Sequence, residues 1–262
     1  MVLALFLFPL GISLHAAFTD KEGAWTLMHF IKAHSLYSTD MAFTLFITLT
    51  ASVLVGLSSL LLAGLMSLSD NRVLVTCLKW LYRWPLFIPF IVAAQCMRTF
   101  LAKNGLMNNS FVALGLYEPV SSISFLDWRG IIITFVWKQT PFVTLMLVGA
   151  VASLDRSMIE AARNLGASRL RVMIEIIIPQ VMPVLMVGLI LSFVTMMSVL
   201  SVPMMVAGSQ PTLLTVDMAF RINSYGDYST ANALGVISYL MTSLVAWFYL
   251  RQQMRDHAQQ AL

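Results

Sequence analysis

The chain has 262 residues, of which 59% are hydrophobic and only 11% charged, with a formal net charge of +4 and a mean hydropathy of +0.82. Soluble domains carry about 25% charged residues, and a chain with so few cannot cover its surface in water. A cytosolic enzyme, a disordered chain and, despite a pI near 9.2, a nucleic-acid binder are excluded; the basic surplus suits loops facing a cytoplasm.

Six apolar stretches approach the ~20 residues that a bilayer crossing needs. The first, 2–18, is short and has no Lys or Arg ahead of it. It reads as a retained anchor helix or as a signal cleaved near Ala16 or Ala17. The second, 41–66, carries Thr44, Thr48, Ser52 and Gly56 at steps of four, a small polar seam on one helical face. The third, 76–98, contains Pro85 and Pro89 and both cysteines, Cys77 and Cys96. With no CxxC spacing, the cysteines read as small buried apolar residues. The fourth, 129–151, holds Lys138, the one ionisable residue placed well inside a span. Such a charge faces the bundle interior or water; contact with an anionic solute, snorkelling and pairing within the bundle all stay open.

After the loop 152–179 comes the fifth stretch, 180–206, with Ser192, Thr195 and Ser198 at steps of three and Met196, Met197, Met204 and Met205 nearby. Seams of this kind are either helix packing or the lining of a solute path, and the methionines are adaptable packing or a flexible gate. The sixth stretch is 231–250. In lipid each backbone must satisfy its own hydrogen bonds, so these stretches are helices, and alternating barrel strands are absent. The fold class is all-α: a polytopic membrane protein with six transmembrane helices in a single transmembrane domain, 1–262. His15, His29, His34 and His257 are scattered without HExxH spacing, so no metal site is expected.

Charge sets an orientation. With both termini cytoplasmic, the inner side holds Arg72, Lys79, Arg83, Arg156, Arg163, Arg169, Arg171, Arg251 and Arg255. The outer side holds Lys21, Lys32, Arg98, Lys103, Arg129 and Arg221. Nine against six is a modest bias in the expected direction.

The loop 152–179 reads as two short helices with a tight turn. Ser157 and Glu160 have capping-box spacing, Gly166 supplies a left-handed stop and Ser168 caps the second helix. Leu170, Met173, Ile174, Ile177 and Ile178 would share its apolar face, and Pro179 would mark where that helix meets the next span. An exposed helix–turn–helix at a membrane face is a docking element on physical grounds. Its residues also resemble a known pattern: Glu160-Ala161-Ala162, then Gly166, then Ile176 and Ile178-Pro179. They look like the EAA motif of ABC importer permeases, with Ile178 where Leu is usual. Pro85 to Pro89, Asn104-Gly105-Leu106, Trp137 to Phe142 and Gly226-Asp227-Tyr228 look like further landmarks of that family.

The resemblance implies a type I ABC importer permease (MetI-like) fold in a cell inner (plasma) membrane. It implies that the loop is a coupling helix seated in a cleft of a cytoplasmic ABC ATPase dimer. The further partners it implies are a second permease, homologous or identical, and an extracytoplasmic solute-binding protein. The sequence contains no GxxxxGK[ST] and no Gly-Lys pair, so ATP is expected to be bound by a partner, with no cofactor and no catalysis here. Within the loop, Glu160 either pairs with a basic group of the ATPase or closes the capping box. Ala161 and Ala162 permit close approach of another backbone or simply favour helix. Arg163, Arg169 and Arg171 suit the ATPase, lipid headgroups or a solvated face alike.

Asp155-Arg156-Ser157-Met158 and the stretch from Pro203 to Tyr228 resemble permeases of the polyamine, ferric-iron, thiamine and phosphonate group. Trp137 to Phe142 resembles sugar permeases instead. An ion-coupled secondary transporter is a rival class, but it would need carboxylates deep in a span. An intramembrane enzyme would need a clustered nucleophile and base, and none appears.

Overall fold

The computed structural model describes residues 2–20, 22–116, 118–207 and 211–260. Lys21, counted above for the outer side, lies outside them, as do the side chains of Arg156, Arg255 and His257. The described residues form helices joined by turns, with no strand beyond an isolated bridge between Thr19 and Trp25.

The helices are α1 (Val2–Phe18), α2 (Met28–Leu68), α3 (Arg72–Leu81), α4 (Phe90–Leu101), α5 (Leu106–Ala113), α6 (Trp128–Ala152) and α7 (Arg156–Asn164). They continue with α8 (Arg169–Val172), α9 (Ile178–Ser198), α10 (Ser201–Val206), α11 (Leu214–Tyr225) and α12 (Tyr228–Gln260). Four stretches are long and apolar enough to cross a membrane: α2, α6, the run Arg169–Ser198 and Tyr228–Trp247. A bent pair, Arg72–Phe87 with Phe90–Ala113, makes a fifth, while α1, with 17 residues, is a shorter apolar helix.

Three of the expected stretches change on folding. The second begins at Met28 rather than 41, because the more polar segment before Asp40 continues the helix; 41 residues reach about 60 Å at ~1.5 Å each, well past a hydrocarbon core of about 30 Å. The third is not one span: it breaks at Pro85–Pro89, and its halves meet at 111°. The fifth stops at Ser198, where Val199 turns extended and α10 starts afresh. Cys77 and Cys96 are free and exposed rather than buried, because α3 buries none of its residues and α4 turns Cys96 outward.

The core is built around α6, which packs between α2 and α9 and meets α4 and α10 toward its N-terminal end. One apolar cluster joins Ile47, Ala94, Ile131, Phe135, Met196 and Val202. A second, toward the opposite end, joins Val55, Ala63, Leu147, Val172, Ile177 and Leu185. A third seats α1 and α12 against α2 through Ala17, Ala33, Tyr37 and Leu234. Large exposed apolar side chains such as Leu57, Leu61, Trp80 and Phe87 form a surface suited to lipid or another subunit.

Candidate functional site

The loop after α6 folds from local signals. Asp155, not Ser157, caps α7: its Oδ1 accepts the Ser157 N–H at 2.9 Å. The capping box is thereby overturned, since the N–H that Glu160 would have accepted already has its partner. Glu160 stands exposed on α7, beside exposed Ala161 and Arg163. Gly166 stops the helix at φ +85, a conformation that L side chains resist, and the N–H of Ala167 bonds back to Ala162 O at 3.0 Å. Ser168 caps α8 by accepting from Arg171 N at 3.3 Å.

The far face of this elbow is apolar and closed. Leu154, Ile159, Ala162 and Ala167 pack onto the second cluster, so Ala162 is turned inward while its neighbour Ala161 stays exposed. Beyond α8 a π turn, Met173–Ile177, leads into α9, and the chain runs as one helix from Arg169 to Ser198. Pro179 sits exposed in the first turn of α9, where the π turn gives way to the span, and the helix continues through that point without a break. The π turn also shifts the expected apolar face: Val172 and Ile177 are buried and Ile176 packs inward, while Leu170 is 70% and Ile174 54% exposed. Met173 lies so close to Gly64 of α2 that a Cβ there would stand 3.1 Å from its sulfur. Asp70, just past α2, pairs with Arg169 and, at 3.8 Å, with Arg163. Arg171 pairs with Glu175 within the helix. Asp70 carried no signal in the sequence, because its partners are about a hundred positions away.

The seam on α2 is divided. Thr44 and Thr48 are buried; Thr44 Oγ1 donates to Asp40 O at 2.7 Å and accepts from Leu214 N at 3.0 Å. Thr48 Oγ1 donates to Thr44 O and lies 3.8 Å from Met197 Sδ. Ser52 is half-buried. On α9, Ser192 is buried and its carbonyl accepts from Gln139 Nε2 at 3.3 Å, whereas Thr195 is half-buried and Ser198 exposed. Met196 and Met197 are buried, Met204 exposed. Lys138 is 7% exposed, and its Nζ donates to Pro85 O at 2.6 Å and Leu86 O at 3.2 Å. Its charge is turned onto the break in the third stretch.

The opposite end of the molecule holds a network that spacing and hydropathy do not reveal. Asp40 is a buried carboxylate on α2, where no span was expected to carry one; its Oδ1 accepts from Thr212 N at 2.9 Å. Thr212 Oγ1 donates to Asp217 Oδ1 at 2.9 Å, while Asp217 Oδ2 is buried without a partner. Burial pushes the Asp217 carboxyl up to about 6, with the charge of Asp40 adding and the Thr212 hydrogen bond and Arg221 opposing. Arg221 donates to Tyr37 Oη at 2.5 Å and lies 3.5 Å from Asp227, which also accepts from Lys32 at 2.6 Å. Burial pushes Asp227 up, but hydrogen bonds from Lys32 and Thr230 outweigh it and hold the carboxyl down at about 2. Among the described residues, no group of three or more His, Cys, Asp or Glu is placed to hold a metal ion.

Residues 59–255 match the family described as binding-protein-dependent transport system inner membrane component. The sulfoquinovosyl glycerol transport system permease SmoG of Agrobacterium fabrum is 27% identical over 216 residues, 78% of this chain and 67% of that one. The spermidine/putrescine transport system permease PotB of Escherichia coli is 27% identical over 170 residues, 63% of this chain and 62% of its own length. The matched region thus spans about two thirds or less of these relatives. In fold, the chain superimposes on a bacterial alginate ABC transporter solved in complex with an alginate pentasaccharide-bound periplasmic protein. The TM-score is 0.77 at 21% identity, covering 97% of this chain and 90% of that one.

Proposed function

The chain belongs to the family of binding-protein-dependent transport system inner membrane components, and on that premise we propose that it is the permease subunit of an ATP-driven ABC importer. It carries a small polar solute across the membrane beside a second permease, homologous or identical. The cytoplasmic ATPase dimer docks on the loop 152–179, and a solute-binding protein delivers cargo to the other side, with both termini of this chain cytoplasmic. The observation that carries the docking role is α7 itself. One face is packed on the ends of the spans, while Glu160, Ala161 and Arg163 face outward, with no bond among the described residues of the loop claiming Glu160. The close approach of Met173 to Gly64 gives a displacement of the elbow a short route into α2 as well as α9.

Of the candidate path residues, Ser52, Thr195 and Ser198 reach the subunit surface and are the ones proposed to face the solute or the second permease. Thr44, Thr48, Ser192 and Lys138 serve internal packing. A solute of the polyamine, metal, thiamine or phosphonate kind is the first reading. A sugar derivative is the second, supported by the 216-residue alignment with the sulfoquinovosyl glycerol permease.

Gly166→Val tests the docking role. A Cβ at Gly166 meets nothing within 4 Å, so the cost comes chiefly from the left-handed backbone, at least about 1–2 kcal/mol. Membrane abundance is expected to hold, while pull-down of the ATPase that co-purifies with the wild type weakens and ATP-driven uptake falls. Undiminished association and uptake, or a wild-type chain that purifies without any ATPase, overturns the reading.

A further inference from the structure

The third apolar stretch is broken where two prolines stand four positions apart. In an α-helix the carbonyl of Pro85 would accept the N–H of residue 89, but Pro89 has none. Its extended ψ of 148° also stops the helix from continuing through it. Carbonyls freed in this way inside a membrane need another donor. Ile88 N reaches Pro85 O only at 3.3 Å.

The donor comes from α6. Lys138 places an amino group inside a span, and its hydrogen bonds among the described residues go to backbone carbonyls rather than to a carboxylate. An ammonium is a compact group with three donors; here two go to Pro85 O at 2.6 Å and Leu86 O at 3.2 Å. The remaining side faces the ring of Phe90, the first residue of the next helix, 5.1 Å from its centroid. All three contacts are to the break, from both of its sides.

We propose that Lys138 is a positioning residue: it stands in for the N–H that Pro89 lacks and fixes the angle between the two halves of the third stretch. The role goes beyond the permease reading and does not depend on which solute is carried. It also replaces solute contact as the reason for a charge at this depth.

The two native cysteines make the angle measurable, since Cys77 lies on α3, Cys96 on α4, and both are free and exposed. The full chain is spin-labelled at both, placed in lipid nanodiscs, and diluted with unlabelled chain bearing serine at both positions so that only distances within one chain are read. The wild type is expected to give one narrow distance peak and Lys138→Met to lose it. Adding Pro89→Ala to Lys138→Met restores a backbone donor, so the peak is expected to return. It should shift toward the ~28 Å that a straight helix spans over nineteen residues at ~1.5 Å each. If Lys138→Met fails to insert, recovery of insertion in the double variant supports the proposal equally. A narrow, unshifted peak in Lys138→Met overturns the proposal, as does a double variant that restores neither order nor insertion. A Lys138→Met chain with an intact bend and weakened solute uptake returns the residue to the solute path.

Discussion

The two ends of the long helix α2 are held in opposite ways. Next to the loop 152–179, Asp70 pairs with Arg163 and Arg169 through side chains that are 46 to 66% exposed. At the far end, Asp40 and Asp217 are 8% and 7% exposed and share Thr212, while Arg221 and Asp227 at 12% and 19% join Tyr37 and Lys32. Exposed pairs are worth about 0–1 kcal/mol and are screened by salt. Removing one partner of a buried pair leaves an uncompensated charge and costs about 3–5 kcal/mol. The loop proposed to dock the ATPase would have to shift during work, and its tie to α2 is cheap to break and remake; the other end is held as a fixed joint.

Arg221→Met attacks that contrast where the effect is largest. Asp227 keeps Lys32, so the loss is expected at about 2 kcal/mol, below the fully buried case, read by unfolding in mixed micelles. A loss no greater than that of the exposed pair would erase the distinction between the ends.

The pH dependence of Asp217 sharpens it. Its folded carboxyl titrates near 6 against an ordinary value of 3.8, so the folded protein holds the proton more tightly than the unfolded chain. The stabilisation is complete below about 3.8 and is lost as pH rises to about 6. Wild-type stability relative to Asp217→Asn should therefore decline across that window and be level above it; a level difference throughout would mean an open, solvated site. Asp227, held down at about 2, has the opposite sign, and its window lies below 3.8, so the two do not overlap.

The smallest effect belongs to Asp70→Asn, expected at no more than about 1 kcal/mol and vanishing at high salt. Combined with Arg169→Gln it should cost little beyond either change alone. A salt-independent loss would place this pair with the buried set.

The same division explains what could be read in advance. Gly166 and Ser168 act on their immediate neighbours, so spacing alone identifies the turn and the second cap. Asp155 and Ser157 are both good caps two positions apart, and only the fold decides between them. Each of the six apolar stretches becomes mainly helical, but a hydropathy run does not tell a straight crossing from one broken at Pro85–Pro89. Lys138 is visible as an anomaly, whereas its partners lie more than fifty positions upstream. Asp40 and Thr212 are 172 positions apart, and Asp217 and Asp70 look like ordinary surface acids until the chain brings their partners to them.

The π turn at Met173–Ile177 has a consequence for comparing this protein with its kin. One surplus residue in a helix rotates everything before it by about 100° relative to everything after. A homologue that winds this stretch as plain α-helix would aim its elbow at a different compass bearing while keeping the same bilayer-facing pattern. On the docking proposal, a motor subunit matched to one bearing would fit poorly on the other.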